Sequence, residues 1–210
     1  MIRMYGMAVL AFLVTTVPAA RSLAVVKAPG KVRSDLGLAT PDTRLQACFD
    51  WAKAQALAYA RTGDPVGLWY EAALPGREAF CMRDVSHQAM GAHALGLAAH
   101  TRNMLHKFAV NISESKDWCT YWEINRYDKP APVDYTNDKE FWYNLPANFD
   151  VLDACYRMYL WTHDRTYLDD PVFKAFYEHT VTDYVERWDL GPGAPVDPES
   201  DTFPTIRTAG

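Results

Sequence analysis

Thr40–Pro65 reads TPDTRLQACFDWAKAQALAYARTGDP, and its pattern sets the fold expectation for the whole chain. Leu45, Cys48, Phe49, Ala52, Ala56, Tyr59 and Ala60 recur at three- and four-residue spacing, which is one face of an amphipathic helix. Thr40 before Pro41 reads as an N-cap with proline at the first helical position, where its missing N–H costs nothing. Thr62-Gly63-Asp64-Pro65 reads as the stop, since glycine takes a left-handed turn and proline cannot continue the helix.

The same pattern extends through the rest of the chain. Asp84 can cap a second, Ala-rich helix over 85–100, and Thr101-Arg102-Asn103 leads into a third over about 102–113. A fourth runs from about 147 to 161. Phe149, Leu152, Tyr156, Tyr159 and Leu160 line one side, while Val151, Cys155 and Met158 lie on another, so it reads as an inner, buried helix. Asp170-Pro171 caps a fifth, with Phe173, Phe176, Tyr177, Thr180, Tyr184 and Trp188 at helical spacing. Thr62-Gly63-Asp64, Thr101-Arg102-Asn103 and Thr162-His163-Asp164 look like one repeated step between helices. A helical hairpin cannot bury its own apolar face, so such units stack or close into a ring. Residues 66–83 lack helical period, and no β alternation of useful length stands out. The expected fold is therefore all-α, a partial (α/α) helical-hairpin toroid over 40–190.

The flanks read differently. Arg3 precedes the apolar run Met7–Val17, and Ser22-Leu23-Ala24 offers a small-residue cleavage site, so 1–24 has the layout of a secretory signal peptide. That run is shorter than the roughly 20 apolar residues a membrane helix needs. A secreted or periplasmic location follows, with no stable membrane insertion. Residues 25–39 read as an extended leader and 191–210 as an irregular C-terminal tail. The formal charge of −5 and the lack of any basic run exclude nucleic acid as a natural partner. Cys48 and Cys155 fall on apolar helical positions and read as small core hydrophobes, whereas Cys81 and Cys119 leave a bridge open. No cofactor motif is present. The histidines lack metal-ligand spacing, so no metal site is expected. Asn111-Ile112-Ser113 is a glycosylation sequon.

Chemistry concentrates in two stretches. Residues 68–88 (LWYEAALPGREAFCMRDVSHQ) place Arg83 beside Asp84, a donor and an acceptor that can grip sugar hydroxyls. Residues 114–146 read as a long ordered loop, a kind that tends to be functional. Eight aromatics fall within its positions 118–143, well above the chain's 13%, and such rings stack on the apolar face of a pyranose. Hydrolysis of a glycosidic bond needs two carboxyls, one to give a proton and one to activate water or attack. Asp84 and Glu123 are the catalytic candidates. Trp69, Tyr70, Arg77, Arg83, His87, Trp122, Trp142 and Asn144 are the substrate-binding ones. Each has an ordinary reading beside it. Asp84 can be only a helix cap, Glu123 an ion pair with Arg126, and the aromatic loop a plug over helix ends. Asp150 and Asp153 pair with Arg157 at helical spacing.

Residues 68–88 resemble the first substrate-binding loop of the six-hairpin glycosidase superfamily, through Pro75-Gly76-Arg77 and Arg83-Asp84. Met82-Arg83 stands where an aromatic–Trp pair is usual in trehalases, which leaves the family within the superfamily open. The resemblance implies a glycoside hydrolase acting on a neutral carbohydrate, inverting in stereochemistry. A closed ring of twelve helices needs roughly 240 residues, more than the chain's 210. The expectation is therefore an N-terminal fragment, weakly active or inactive alone, with an exposed apolar face open to self-association. The alternatives are a non-catalytic carbohydrate- or protein-binding helical module, or a polysaccharide lyase. The acidic balance speaks against the lyase, because uronate substrates call for a positive groove.

Overall fold

The computed structural model describes residues 32–73 and 76–192. The signal peptide read over 1–24 and nearly all of the tail after 191 lie outside these residues. The first helix, α1 (Thr43–Ala58), is capped by Asp42, two residues later than the expected Thr40. Asp42 Oδ1 accepts from the Arg44 and Leu45 N–H groups at 2.9 and 3.1 Å, while Thr40 accepts from the Asp42 N–H. The helix buries none of its residues. Its periodic face finds no broad partner among the described elements, and Cys48 is exposed rather than packed. Residues 32–39 are irregular, and Lys53 ties this segment to the helix through the Ser34 and Leu36 carbonyls. With so little burial, the cap is a main support of the first turn. Asp42→Ala is expected to cost about 1 kcal/mol locally and to speed amide exchange over 43–47 about fivefold, with the global melting temperature unmoved. Residue-resolved hydrogen exchange checks this.

Immediately after the helix the chain leaves the expected course. Strands β1 (Ala60–Asp64) and β2 (Gly67–Tyr70) form an antiparallel hairpin, so Thr62-Gly63-Asp64 lies inside a strand and stops no helix. Strand β3 (Ala79–Cys81) pairs antiparallel with β4 (Glu123–Asn125), and β5 (Tyr135–Asn137) pairs with β6 (Glu140–Phe141). These three two-stranded sheets overturn the all-α expectation: the chain is a mixed α/β fold, and the described residues form no toroid. Strands of two to five residues are too short for the alternation that marks a strand in sequence.

Helices α2 (Met82–Ala94) and α3 (Ala98–Val110) stand where helices were expected over 85–100 and about 102–113, with the break between them at 95–97. Gly96, at φ +85°, makes the turn between them, and its N–H donates to the His93 carbonyl at 2.8 Å. Cys81 occupies the N-cap position of α2, so Asp84 sits within its first turn and does not cap it. Thr101-Arg102-Asn103 lies inside α3. Only Thr162-His163-Asp164 ends a helix, at α4 (Ala147–Thr162), where His163 takes φ +54°. The three similar tripeptides thus fall in a strand, a helix and a helix end, and no hairpin repeat exists. After the short helix α5 (Thr166–Asp169), Asp170 caps α6 (Pro171–Val181) by accepting from the Val172 N–H at 2.8 Å. Helix α7 (Asp183–Arg187) follows.

The core lies where α2 packs on α3 and α4, and where α3 packs on α6 and β2. Phe80, Phe108, Met104 and Met158 are fully buried there, each contributing about 1.5–3 kcal/mol by leaving water. Helix α4 buries one stripe, including Val151, Cys155 and Met158, but exposes Phe149, Tyr156, Leu160 and Trp161. It is not the all-round buried helix of the sequence reading, because its helical neighbours cover one side only. The aromatic segment holds β4, β5 and β6 and packs largely on itself. Trp122 meets Trp142 edge-on at 4.2 Å, and Tyr121 meets Tyr135 at 5.0 Å. No disulfide joins any of the four cysteines, so Cys81 and Cys119 form no bridge. Among the described residues, no helix is long and apolar enough to cross a membrane.

Candidate functional site

The pairing of β3 with β4 builds the site. It sets Cys81 opposite Glu123, and the Met82 N–H donates to the Trp122 carbonyl at 3.0 Å. The start of α2 is thereby fixed beside Trp122-Glu123. Asn125 makes the next turn by accepting from the Tyr127 and Lys129 N–H groups, and Asp128 takes φ +61°. The returning chain bonds back through the Ala131 N–H to the Glu123 carbonyl at 3.0 Å. Asp134 arrives three residues later, and its carbonyl accepts from the Trp142 N–H at 2.7 Å.

This crossing brings two carboxyls and one guanidinium together. Arg77 Nη2 lies 2.7 Å from Glu123 Oε2 and 3.2 Å from Asp134 Oδ2. Only the Asp134 contact has hydrogen-bond geometry, so the guanidinium serves Asp134 as its charged partner. Glu123 is 4% exposed. Burial, then the charge of Asp134, pushes its carboxyl up to about 7, while Arg77 pulls it back. Asp134 is also raised by burial, with Arg77 and the hydrogen bond from Glu123 opposing. Two carboxyls this close cannot both ionise freely. Burial and the second carboxyl both favour the protonated form of Glu123, the more buried of the two. Asp84, exposed in the first turn of α2, adds a third negative charge that reaches Glu123. The ordinary partner expected for Glu123 is engaged elsewhere: Arg126 binds Asp64 at 2.7 Å and Glu78 at 2.6 Å.

The remaining sequence candidates separate into three places. Arg83 and His87 lie along α2 and face α4, where Arg83 Nε sits 3.1 Å from Asp150 Oδ2 and His87 Nε2 3.6 Å from Asp150 Oδ1. Asp150 is thus a partner of α2, while Asp153 alone pairs with Arg157, at 2.8 Å. A polar cavity of about 190 Å3 lies at this seam, lined by Ser86, His87, Asp150, Asp153 and Arg157. Trp122 precedes Glu123 in sequence and Trp142 is tied to Asp134 through the backbone, and both are half-buried. Trp69 is 1% exposed, its ring against Phe80 and its Nε1 donating to Asp64 at 2.8 Å. Tyr70 is buried next to it, with its hydroxyl 3.2 Å from Thr101 Oγ1. Asn144 is half-buried, and its carbonyl accepts the first N–H of α4 at 2.9 Å.

Asp134 and Asp150 stand in the site without having been singled out as catalytic or binding residues. Asp134 had a readable signal. Asn125, Asp128 and Pro130 mark a turn, and a turn there folds the chain back on Glu123. Asp150 had none, because its partners come from a helix more than sixty residues earlier. Among the described residues, no group of His, Cys, Asp or Glu side chains could hold a metal ion. Comparison with known proteins gives no match to a family model, a curated protein or a solved structure. The fold and the site define a class only: a mixed α/β chain with two carboxyls gathered on one arginine.

Proposed function

We propose that the chain is a carbohydrate-active protein of the glycoside-hydrolase kind, with Glu123 as its general acid. What supports this is the 4% exposed Glu123, whose carboxyl burial and the neighbouring Asp134 push up to about 7. A general acid works best with a pKa near the operating pH, and an ordinary glutamate is ionised there. Burial and Asp134 hold the proton on Glu123 between turnovers, against the pull of Arg77. Glu123 and Asp134 sit on the same Arg77 nitrogen, without room between them for the water or sugar that separates the two working carboxyls of a glycosidase by roughly 5–9.5 Å. They therefore act as one unit, and exposed Asp84 supplies the second carboxylate. Trp122 and Trp142 offer ring surface for the apolar face of a sugar. This reading needs no ring of helices, and the argument that an unclosed ring would be inactive falls with the ring.

A second reading has its own support. Glu123 is almost fully buried, as suits a clamp that locks β4 to the segment carrying Asp134. The chain would then bind carbohydrate or protein without hydrolysing it. A panel of aryl glycosides and neutral oligosaccharides separates the two. The proposal expects turnover that declines as pH rises above about 7. It also expects a loss of at least 100-fold in kcat/KM for Glu123→Gln, with the variant still folded. No turnover, with saturable oligosaccharide binding that survives Glu123→Gln, would favour the clamp. Neither turnover nor binding would end the carbohydrate assignment.

A further inference from the structure

Gly91 is expensive and has no structural reason to be there. It sits in the last turn of α2, where glycine costs up to about 1 kcal/mol relative to alanine. Other glycines have a local cause. Gly67 has φ +96°, and an added Cβ would meet the Asn103 side chain at 3.0 Å, while Gly96 needs φ +85° for its turn. A Cβ at Gly91 would meet nothing within 4 Å, and its backbone is ordinary helix. It opens instead onto a cleft of about 390 Å3 between the last turn of α1, the end of β2 and α2. That volume is in the range of small-molecule sites.

The lining has a direction. Ala56, Gly91, Ala92, Leu95 and Leu97 are small or apolar, and Tyr59 and Tyr70 add two rings. Tyr70 is fixed by its bond with Thr101, and the Glu71 N–H donates to the Tyr59 carbonyl at 3.1 Å, which ties the two walls together. Glu71 stands in the lining with Oε1 accepting the Glu78 N–H at 2.9 Å, so its carboxylate is held in place. The described lining residues include no lysine or arginine to neutralise it. Aromatic faces with one oriented carboxylate select for a cation.

We propose that the cleft between α1 and α2 is a binding site for a flat apolar ring bearing a protonated amine, with Gly91 leaving room for the ring and Glu71 accepting from the ammonium group. The site is separate from the Glu123 pair, and it stands or falls independently of the hydrolase reading. Calorimetric titration of the full chain tests it, with tryptamine as the cationic probe and indole-3-propionate as its anionic counterpart. His87 also lines the cleft, and both probes are titrated at pH 8. The expected result is one saturable tryptamine site, with indole-3-propionate weaker by about tenfold or more, the size of one charge-assisted hydrogen bond. Gly91→Leu fills the cleft and weakens tryptamine at least tenfold with an equal or higher melting temperature. Glu71→Gln brings the two probes within about threefold of each other and decides the matter even where Gly91→Leu fails to fold. The proposal is overturned by no saturable tryptamine binding, by equal affinity for both probes, or by undiminished binding to folded Gly91→Leu.

Discussion

Replacing Phe108 with alanine is expected to cost about 3–5 kcal/mol of folding stability, the range for a fully buried aromatic. Phe108 is 0% exposed and meets Phe80 edge-on at 5.4 Å. It lies on α3, the helix that joins α2, α6 and β2 into one core. Its backbone carbonyl also receives the Thr120 hydroxyl, so collapse into the void would strain the start of the aromatic segment. Domains are stable by only about 5–15 kcal/mol, so this loss would leave a substantial unfolded fraction at 37 °C. Trp51→Ala is the control. It removes a larger ring, but one that is 66% exposed on a helix that buries nothing, so a change within about 0.5 kcal/mol is expected. Urea melts of the two variants measure the difference. Equal losses would mean that the core is not centred on α3.

That contrast also marks where sequence reasoning succeeds and stops. The 3.6-residue period locates α1 well, because the pattern belongs to the segment itself. It does not reveal that α1 buries none of its residues, because burial depends on a partner that the segment does not encode. Asp170-Pro171 reads correctly as a cap, since the side chain, the proline and the helix are contiguous. Thr40-Pro41 misleads, since Asp42 competes for the same role and is the better acceptor for two N–H groups. The sheets escape because each strand is two to five residues long and its partner is not always near. Residues 79–81 pair with 123–125 across more than forty intervening positions. Three similar tripeptides then passed for a repeat, with nothing local to show that one lies in a strand. The site shares this division. Arg77 and Glu123 are visible as residue types, but their meeting is a product of the β3–β4 pairing and the turn at Asn125.

Glu123→Gln is expected to reshape the pH dependence of stability. Burial and the neighbouring Asp134 raise the folded-state carboxyl to about 7, against roughly 4.3 in an unfolded chain. A raised pKa means that the folded state holds a proton the unfolded state has lost. The stabilising contribution is fully present below the unfolded value and is lost as pH rises to about 7. At about 1.4 kcal/mol per unit, the loss totals roughly 4 kcal/mol over the full range. Asp134, also raised by burial, works in the same direction. His100 works in the opposite one. Burial lowers its pKa, and neither ring nitrogen has a hydrogen-bond partner. Its contribution is present above the unfolded value near 6.5 and is lost as pH falls below it. The native chain is therefore squeezed from both sides. Gln cannot ionise, keeps the size of Glu and can still donate to Asp134. The variant should gain on the native chain by about 3 kcal/mol between pH 4.5 and 8, leaving the acid-side loss from His100 exposed. Urea melts at pH 5, 6, 7 and 8 read the difference directly. A gap that stays flat within about 0.5 kcal/mol across that range would mean that Glu123 is ionised throughout, and a general acid at this position would then have no proton to give.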